Sequence, residues 1–467
     1  MTARIVAVGA AAPALRLPAA EVATAWGRAG GRGQVALCAP DEDTLTLAWE
    51  AGTRAIEAAG IDPGVVDGLW WGTTRPPFAE GPSHAFLASA LGLAAESGGA
   101  LLAGSTHAGI DALGAAADAV VAGSARVALV IASDALRPGP GTSAETRFGA
   151  GAAAMVIATS GGAGTIGPRV TRHKPVVDRY RGDADTETRD LYDGRLFREA
   201  IFLPLTNAVI EPVAALEPRA WSLPDPDGRL GSALAKRAGG GAPVSAAVYA
   251  QVGDTGAAAA LLGAIGALDA AGTIAIVGYG GGRATAVTVH AERPVPGAMS
   301  VARVLSEGRE VTYTEALRAR GQLVPAGETI PMGVPPESAM FVRGAEEMLG
   351  LLGGRCVDCG TISTPPSIHP HCVACGGPKL EPVALARHGT VHTYVVNYTM
   401  PAPFVAPLPI AVLDLDDGSR LMLQVVGDGE DLAIGRTVRL VLRRYAYERG
   451  VPVYGFKAKT IAAEPAP

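Results

Sequence analysis

The 467-residue chain has little aromatic character and no long run of apolar residues. Aromatic side chains make up 5% of it, whereas 61 residues are glycine, so we expect helices to pack closely against strands. No stretch reaches the roughly 18 uninterrupted apolar residues of a membrane-spanning helix. The N-terminal residues Met1 to Val6 lead into a strand pattern and not into a signal peptide, so we expect neither a leader nor a membrane partner.

The chain also lacks concentrated charge of either sign. Its 39 Lys and Arg residues and 45 Asp and Glu residues leave a formal net charge of −6, and the basic residues are spread along the chain. Proteins that bind nucleic acids carry clustered basic residues. The sequence therefore predicts no nucleic-acid partner.

Cysteine is scarce as well, and four of the five cysteines form two short pairs, Cys356-Val-Asp-Cys359 and Cys372-Val-Ala-Cys375. This spacing is typical of a zinc ribbon, in which two C-x-x-C turns hold one tetrahedral Zn²⁺. Free or disulfide-linked cysteines are the alternative, but matched spacing favours the metal and a reducing, cytoplasmic location. Four sulfur ligands leave no open position on the ion, so we expect a structural and not a catalytic zinc.

The part of the chain before residue 292 predicts helices that alternate with strands, in two similar halves. In the first half we predict a strand at 4–9, a helix at 41–59, a strand at 67–72, a helix opening at Ser105-Thr106-His107 and a strand at 127–132. In the second half Asp254-Thr255 opens an Ala-rich helix, and a strand at 273–277 and the turn Gly278–Gly282 follow. A duplicated α/β unit with mixed sheets covered on both faces explains this pattern.

The predicted domains follow from shifts in composition. Residues 1–292 form the duplicated domain, and 293–336 form a Pro-rich linker with a docking helix. Residues 337–386 hold a further helix and the zinc ribbon. Residues 387–467 predict a small OB-type barrel, with strands at 389–398, 410–415, 420–426, 437–442 and 453–459.

Two regions of the chain resemble known families. Residues 337–462 resemble the zinc-ribbon plus OB-fold proteins that accompany thiolases and HMG-CoA synthases, through Leu351–Cys359, Pro365-Pro366, Cys372–Cys375, Gly389–Val391 and Tyr394. Residues 4–290 resemble the thiolase superfamily, closest to the archaeal-type HMG-CoA synthases, through Gly72–Ala79, Arg126–Asp134, Asp225–Arg229 and Gly278–Gly282. The resemblance implies a duplicated thiolase-like five-layer αβαβα domain, a CoA thioester substrate and at least a homodimer.

The resemblance also locates the family's four catalytic positions. Members use a cysteine at a helix N-terminus to take an acyl group from CoA, together with a glutamate, a histidine and an asparagine. By resemblance this chain has Thr106 for the cysteine, Thr74 for the glutamate, Pro224 for the histidine and Asp254 for the asparagine. Shifting the alignment by one residue offers Ser105 or His107 but no cysteine.

The candidate catalytic residues of this chain are Thr106, His107, Asp254 and Tyr279. His107 is a candidate base beside the helix start, and Asp254 is a candidate base or orienting group. Tyr279 lies in the turn that, by resemblance, borders the acyl pocket. Each has a structural alternative: helix capping for Thr106 and Asp254, a buried satisfied histidine for His107, and a tight strand connection around Tyr279.

Two functions follow from these features. In the first, the chain acts on CoA thioesters in C–C bond formation or cleavage, by acyl transfer, condensation or aldol-type chemistry, with an altered active site and with a separate thiolase as a partner. In the second, it is a non-catalytic subunit that binds acyl-CoA or holds other enzymes together. Turnover of CoA thioesters would discriminate between them.

Overall fold

A computed structural model describes residues 2–190, 193–238, 241–324, 344–400, 404, 406–448 and 450–461. The chain divides into two compact units, Met1–Val324 and Pro325–Pro467. The boundary expected at residue 292 therefore lies inside the first unit.

The first unit contains fifteen described strands and eleven described α-helices. The strands are β1 (Arg4–Ala11), β2 (Leu15–Pro18), β3 (Gln34–Leu37), β4 (Gly68–Gly72), β5 (Gly98–Leu102), β6 (Val127–Ala135), β7 (Ala150–Ala158), β8 (Gly164–His173), β9 (Arg179–Tyr180), β10 (Arg189–Asp190), β11 (Ala220–Ser222), β12 (Ala242–Pro243), β13 (Gly272–Gly280), β14 (Arg283–Ala291) and β15 (Arg309–Glu310). The helices are α1 (Ala19–Ala25), α2 (Thr44–Ala59), α3 (Ser83–Leu91), α4 (Ala108–Ala122), α5 (Gly194–Phe197), α6 (Leu203–Ala214), α7 (Leu230–Arg237), α8 (Val244–Val252), α9 (Ala259–Ala267), α10 (Val301–Ser306) and α11 (Tyr313–Ala319).

Ten of these strands show the predicted duplication. They are hydrogen-bonded in the order β12-β11-β13-β14-β8-β1-β7-β6-β4-β5. In the first half β4 pairs in parallel with β5 and β6, whereas β7 pairs antiparallel with β6 and β1. The second half repeats this arrangement with β11, β12, β13, β14 and β8. The two halves meet where β1 pairs with β8.

The helices form the other layers of the five-layer αβαβα fold. Helix α2 packs on β1, β6 and β7, and α6 packs on β8 and β14, so each covers the outer face of one half. Helices α4 and α9 contact each other, and each also contacts strands of both halves. Their buried faces are made largely of Ala, Gly, Leu and Ile, as the composition led us to expect.

Small residues let the two central helices approach closely. A Cβ atom on Gly109, in the first turn of α4, would collide with the backbone carbonyl oxygen of Ala257 just ahead of α9. Glycine at this position therefore permits the contact between the two halves. The outer helix α2 shows the expected local signals: Asp43 and Thr46 form a capping box, and Gly60 ends the helix with φ 65°.

The segment 293–324 packs as part of the first unit. Helix α10 contacts α8, α9 and β1, and β15 extends the small sheet of β2 and β3. Helix α11 contacts α1 and begins with a capping box formed by Thr312 and Glu315. The docking helix expected from the sequence is thus present; residues 325–336 of the expected linker, and 337–343 of the helix expected after it, lie outside the described residues.

The second unit begins, in its described part, with helix α12 (Ala345–Leu349) and a three-stranded sheet. That sheet contains β16 (Leu352–Cys356), β17 (Ile362–Ser363) and β18 (Leu380–Ala384). Five further strands form a sheet in the order β21-β20-β19-β22-β23, and the contact between Val425 and Ala458 brings its two edges together into a nearly closed OB-like barrel. They are β19 (His388–Asn397), β20 (Leu408–Leu415), β21 (Arg420–Gln424), β22 (Thr437–Glu448) and β23 (Val451–Thr460).

Candidate active site

A cavity of about 160 Å³ lies between the two halves of the first unit. The first half contributes the loop after β4 and the segment before α4, and the second half contributes the segments around β11, β13 and the start of α9. All four positions that correspond by resemblance to the family's catalytic residues line this cavity: Thr74, Thr106, Pro224 and Asp254. Tertiary structure therefore brings together positions that are far apart in sequence.

Thr106 lies directly ahead of α4 but does not cap the helix. Its hydroxyl donates a hydrogen bond to the backbone carbonyl oxygen of Tyr279 at 2.8 Å. The hydroxyl oxygen of Ser105 instead accepts a hydrogen bond from the backbone N–H of His107 at 3.0 Å. The hydroxyl proton of Thr106 thus points to a carbonyl oxygen, which is not a base able to activate it.

His107 is not among the residues that line the cavity, and it is 1% exposed. Its Nδ1 lies 2.9 Å from the Asp111 carboxylate, and its Nε2 lies 2.9 Å from the hydroxyl of Thr285. Burial raises the pKa of Asp111, but the His107 hydrogen bond and the Arg283 guanidinium outweigh it and hold that pKa below its ordinary value. With both ring nitrogens engaged, His107 is a satisfied interior histidine, and its expected role as the cavity's base receives no geometric support.

Asp254 lines the cavity, but its carboxylate is held by protein groups. Its Oδ2 pairs with Arg179 at 2.8 Å, and its Oδ1 accepts the backbone N–H of Gly256 at 3.0 Å. Arg179 also pairs with Asp190 at 3.3 Å, and its guanidinium lies 4.4 Å from the ring centroid of Phe148. Asp254 therefore acts as a buried anchor for Arg179, as well as capping the turn that precedes α9.

Tyr279 lies near the end of β13 and lines the cavity. Its hydroxyl donates a 2.8 Å hydrogen bond to Asp178, which is itself 3% exposed. Its ring packs edge-to-face against Phe197 and Phe202, with centroids 5.9 Å and 5.0 Å away. These contacts hold the phenol rigidly in the cavity wall.

The position of the family's glutamate connects to a buried carboxylate that the sequence analysis did not single out. Thr74 donates its hydroxyl to Asp134 at 2.7 Å, and the backbone N–H of Ala257 reaches the same carboxylate at 2.9 Å. Burial raises the pKa of Asp134 to about 6, although the hydrogen bonds from Ala257 and Thr74 and the charge of Arg75 oppose that rise. Asp134 thus joins the end of β6 to both halves of the cavity wall.

Sequence reasoning also missed the carboxylate next to Pro224. Asp225 lines the cavity and is 8% exposed, and neither of its oxygen atoms has a hydrogen-bond partner among the described residues. Burial, the largest cause, and the charges of Asp227 and Asp254 raise its pKa to about 6, against the opposing backbone N–H groups of Gly231 and Gly228. By resemblance, Pro224 replaces a histidine of the family, and this substitution could have drawn attention to Asp225 as the nearest group able to transfer a proton.

The fifth cysteine does not supply the missing thiol. Cys38 follows β3 directly, is half-buried and lies within electrostatic reach of Arg320. It is not among the residues that line the cavity. The cavity wall, as described, contains no thiol group.

The second unit brings the other four cysteines together. The Sγ atoms of Cys356 and Cys375 are 3.6 Å apart, those of Cys359 and Cys372 are 3.5 Å apart, and all four lie within 4.8 Å of one another. Sulfur atoms about 2.3 Å from a central tetrahedral ion would be roughly 3.8 Å apart. The cluster is thus compatible with a metal in a zinc ribbon.

In the described part of the chain, no helix combines the length and apolar character needed to cross a bilayer.

Sequence comparisons agree with this two-unit arrangement. The chain is similar to hydroxymethylglutaryl-CoA synthases: it is 34% identical to that of Pyrococcus horikoshii over 154 residues and 32% identical to that of Aeropyrum pernix over 164 residues. These matches cover 33% and 34% of this chain, and 44% and 45% of the relatives, so the similarity spans less than half of their length. Residues 382–443 match the family described as ChsH2, C-terminal OB-fold domain.

Solved structures share the fold of the first unit. A structure of MvaS in complex with 3-hydroxy-3-methylglutaryl coenzyme A has a TM-score of 0.57 and 20% identity, and covers 71% of this chain and 95% of that one. The 3-oxoacyl-(acyl carrier protein) synthase III of Pseudomonas aeruginosa has a TM-score of 0.55 and 22% identity, and the match covers 63% of this chain and 100% of that one. These likenesses show that the first unit has the fold of thiolase-like proteins. The chain thus combines similarity to part of the hydroxymethylglutaryl-CoA synthases with a segment similar to the ChsH2 C-terminal OB-fold domain.

Proposed function

We propose that this chain binds a CoA thioester in the cavity and catalyses C–C bond formation or cleavage without a cysteine-linked acyl intermediate. The observation that carries the proposal is that the family's catalytic positions surround one cavity but hold Thr74, Thr106, Pro224 and Asp254. A hydroxyl has a much higher pKa than a thiol, and proline has no side-chain proton to transfer. Acyl transfer through an enzyme thiol is therefore not available, whereas the position of the cavity between the halves is retained.

The relatives support the substrate class. The curated relatives are named as hydroxymethylglutaryl-CoA synthases, and related structures are described as containing coenzyme A or 3-hydroxy-3-methylglutaryl coenzyme A. Carried over to this chain, they favour an acyl-CoA with its reacting carbons in the cavity. The four-cysteine cluster is proposed to hold one structural Zn²⁺, because four thiolates at this spacing suit a closed tetrahedral shell.

A second candidate is a non-catalytic acyl-CoA-binding or scaffolding subunit that depends on a separate thiolase. The contacts of Thr106 with the Tyr279 carbonyl and of Asp254 with Arg179 favour it, because both candidate groups are occupied by other parts of the protein. The chain would then bind acyl-CoA and present it to the partner. Product formation by the chain alone would separate the two candidates.

A homodimer is also proposed, in keeping with the family resemblance. Strand β5 lies at one end of the ten-stranded sheet, where the described part of the chain supplies β4 as its neighbour, and Gly98 to Ala100 are exposed. An exposed sheet edge is a ready surface for pairing with a second chain. Light scattering should give twice the 47.2 kDa of one chain, and a monomer would contradict this part of the proposal.

The central test is calorimetric titration of the full chain with acetyl-CoA, followed by intact-mass measurement. Ala259 lines the cavity at the start of α9, so Ala259→Phe should fill it and abolish binding, whereas Ala270→Phe, at an exposed position, should not. We expect binding in the native chain without a gain of acetyl mass. Binding that persists in Ala259→Phe, or an acetyl group covalently attached to the first unit, would contradict the proposal.

A further inference from the structure

One carboxylate of the cavity has no hydrogen-bond partner among the described residues. Three aspartates that line the cavity are at most 8% exposed: Asp178, Asp225 and Asp254. Asp178 accepts a hydrogen bond from Tyr279, and Asp254 pairs with Arg179, each at 2.8 Å. Both oxygen atoms of Asp225 lack a hydrogen bond from any described residue. Buried polar atoms are almost always paired, so a partner is expected to come from a ligand in the cavity.

The groups around Asp225 do not supply the hydrogen bonds that its carboxylate lacks. The backbone N–H groups of Gly228 and Gly231 lie nearby without forming aligned hydrogen bonds, and the charges of Asp227 and Asp254 act on it from the adjacent loop and from the segment before α9. From α8, Tyr249 faces the same carboxylates: burial raises the pKa of its phenol, and the charges of Asp254 and Asp225 add to the rise. The groups that act on Asp225 are thus acidic residues and a phenol that keeps its proton, while the guanidinium groups of Arg75, Arg179 and Arg181 line the same cavity.

The chemistry of the cavity restricts what such a carboxylate can do. Cleavage that transfers an acyl group needs a nucleophile to receive that group, and the cavity wall has no thiol for this purpose. Aldol-type cleavage needs only a group that removes a proton from a hydroxyl. A 3-hydroxyacyl thioester has that hydroxyl on the carbon next to the α-carbon, and it is also the hydrogen-bond donor that Asp225 lacks.

We propose that Asp225 is the proton-transfer residue of this site and that its substrate is a 3-hydroxyacyl thioester or the corresponding carbonyl compound and acyl thioester. This inference rests on the function proposed above. Asp225 takes the proton of the 3-hydroxyl, the O–H electron pair forms the carbonyl π bond, and the bond between the α- and β-carbons breaks. Its electron pair passes into the thioester enolate, which then takes the proton back from Asp225 at the α-carbon. The products are an aldehyde or ketone and an acyl thioester, and condensation is the same sequence reversed.

A carboxylate must be partly deprotonated at neutral pH and still able to return the proton. Burial and the neighbouring acidic groups raise the pKa of Asp225 to about 6, which meets both needs. Its position next to Pro224 also places it where the resemblance locates the family's histidine. The role of that histidine is thus moved by one residue along the same loop.

The test follows exchange of the α-protons of acetyl-CoA with D₂O by NMR, because enolate formation at the α-carbon does not require the correct carbonyl partner. The full-length chain should exchange these protons, and the rate should rise with pH through about 6. Asp225→Asn should lower the rate by about 100-fold or more, Asp225→Glu should restore part of it, and Asp225→Asn should show no such pH dependence. Asp62→Asn is the matched control, because this exposed aspartate lies outside the cavity wall and an asparagine keeps the hydrogen bond from the N–H group of Gly64.

Titration with acetyl-CoA separates failure of this inference from failure of the proposed function. If acetyl-CoA does not bind to the native chain, the proposed function fails. If it binds and the native chain and Asp225→Asn exchange equally, or neither exchanges, the role of Asp225 is overturned while acyl-CoA binding stands. Thermal melting of each variant confirms that it is folded. Release of an aldehyde from 3-hydroxybutyryl-CoA, lost in Asp225→Asn and retained in Asp62→Asn, would support the substrate class, and its absence from the native chain would overturn that class for this acyl length.

Discussion

The hydroxyl of Thr106 donates its proton to the backbone carbonyl oxygen of Tyr279 across 2.8 Å. This hydrogen bond joins the segment before α4 in the first half of the domain to the end of β13 in the second half. It lies at the position where the resemblance expects an acyl-accepting thiol. In this chain the side chain there connects the two halves of the domain, and its contacts provide no base.

We expect Thr106→Cys to create a reactive thiol in the cavity. Residue 106 directly precedes His107, the N-cap of α4, and a position beside a helix N-terminus lowers the pKa of a thiol. In a Cys38→Ser background, iodoacetamide should modify residue 106 within minutes, as measured by peptide mass spectrometry. Cys38→Ser alone is the control and should show no modification in the first unit. An unreactive thiol at residue 106 would show that the cavity is closed to small reagents.

Asp254→Asn should lower the free energy of unfolding by about 2 kcal/mol, because it leaves the partly buried Arg179 with one carboxylate partner instead of two. Urea unfolding of the full chain measures the change. Asp185→Asn removes the pairing of Asp185 with the more exposed Arg189 and should cost at most about 1 kcal/mol. Equal effects of the two substitutions would contradict the anchoring role of Asp254.

The pH dependence of stability should report on Asp134. Its folded pKa of about 6 exceeds the ordinary value of 3.8, so the folded state holds the proton more tightly than the unfolded state between these values. The free energy of unfolding should therefore fall as pH rises from about 4 to about 6, by up to about 3 kcal/mol from this residue. The pKa of Asp225 is raised in the same direction, so this residue contributes to the fall in stability over the same pH range.

Asp134→Asn should remove roughly half of this pH dependence. The readout is the difference between the free energies of unfolding at pH 4.5 and pH 7.5, because loss of a hydrogen-bond acceptor changes stability at both pH values alike. Urea titrations of the native chain and the variant supply that difference. If the variant shows the same difference as the native chain, Asp134 does not titrate as described.

The cysteine cluster should hold one zinc ion per chain. Cys372→Ser removes one of the four clustered thiols, so we expect loss of the metal and faster proteolysis of the second unit, since a structural zinc site stabilises its fold. Elemental analysis and limited proteolysis measure the two effects. Cys38→Ser should keep the metal, because Cys38 lies in the other unit. A native chain purified without zinc or another divalent metal would refute the site.

Local sequence was enough to predict many elements of this fold. The spacing of hydrophobic residues and the capping residues predicted α2 with its Gly60 cap, the βα repeat and the five barrel strands. These signals are local, because hydrophobic spacing and turn residues act over a few positions. Spacing alone also grouped the four ribbon cysteines. The boundary after Val324 was not visible in the sequence, which suggested residue 292 instead, since packing of α10 and α11 on the first unit depends on contacts distant in sequence.

By itself, the sequence determined the fold class, the order of the elements and the residues present at each position of the site. Tertiary structure alone decided which side chains face the cavity: His107 turns to Asp111 and Thr285, whereas Asp225 is buried against the cavity and receives no hydrogen bond from the described residues. The reason is physical. The direction of a side chain and the solvation of its charge depend on neighbours that come from the other half of the duplicated domain.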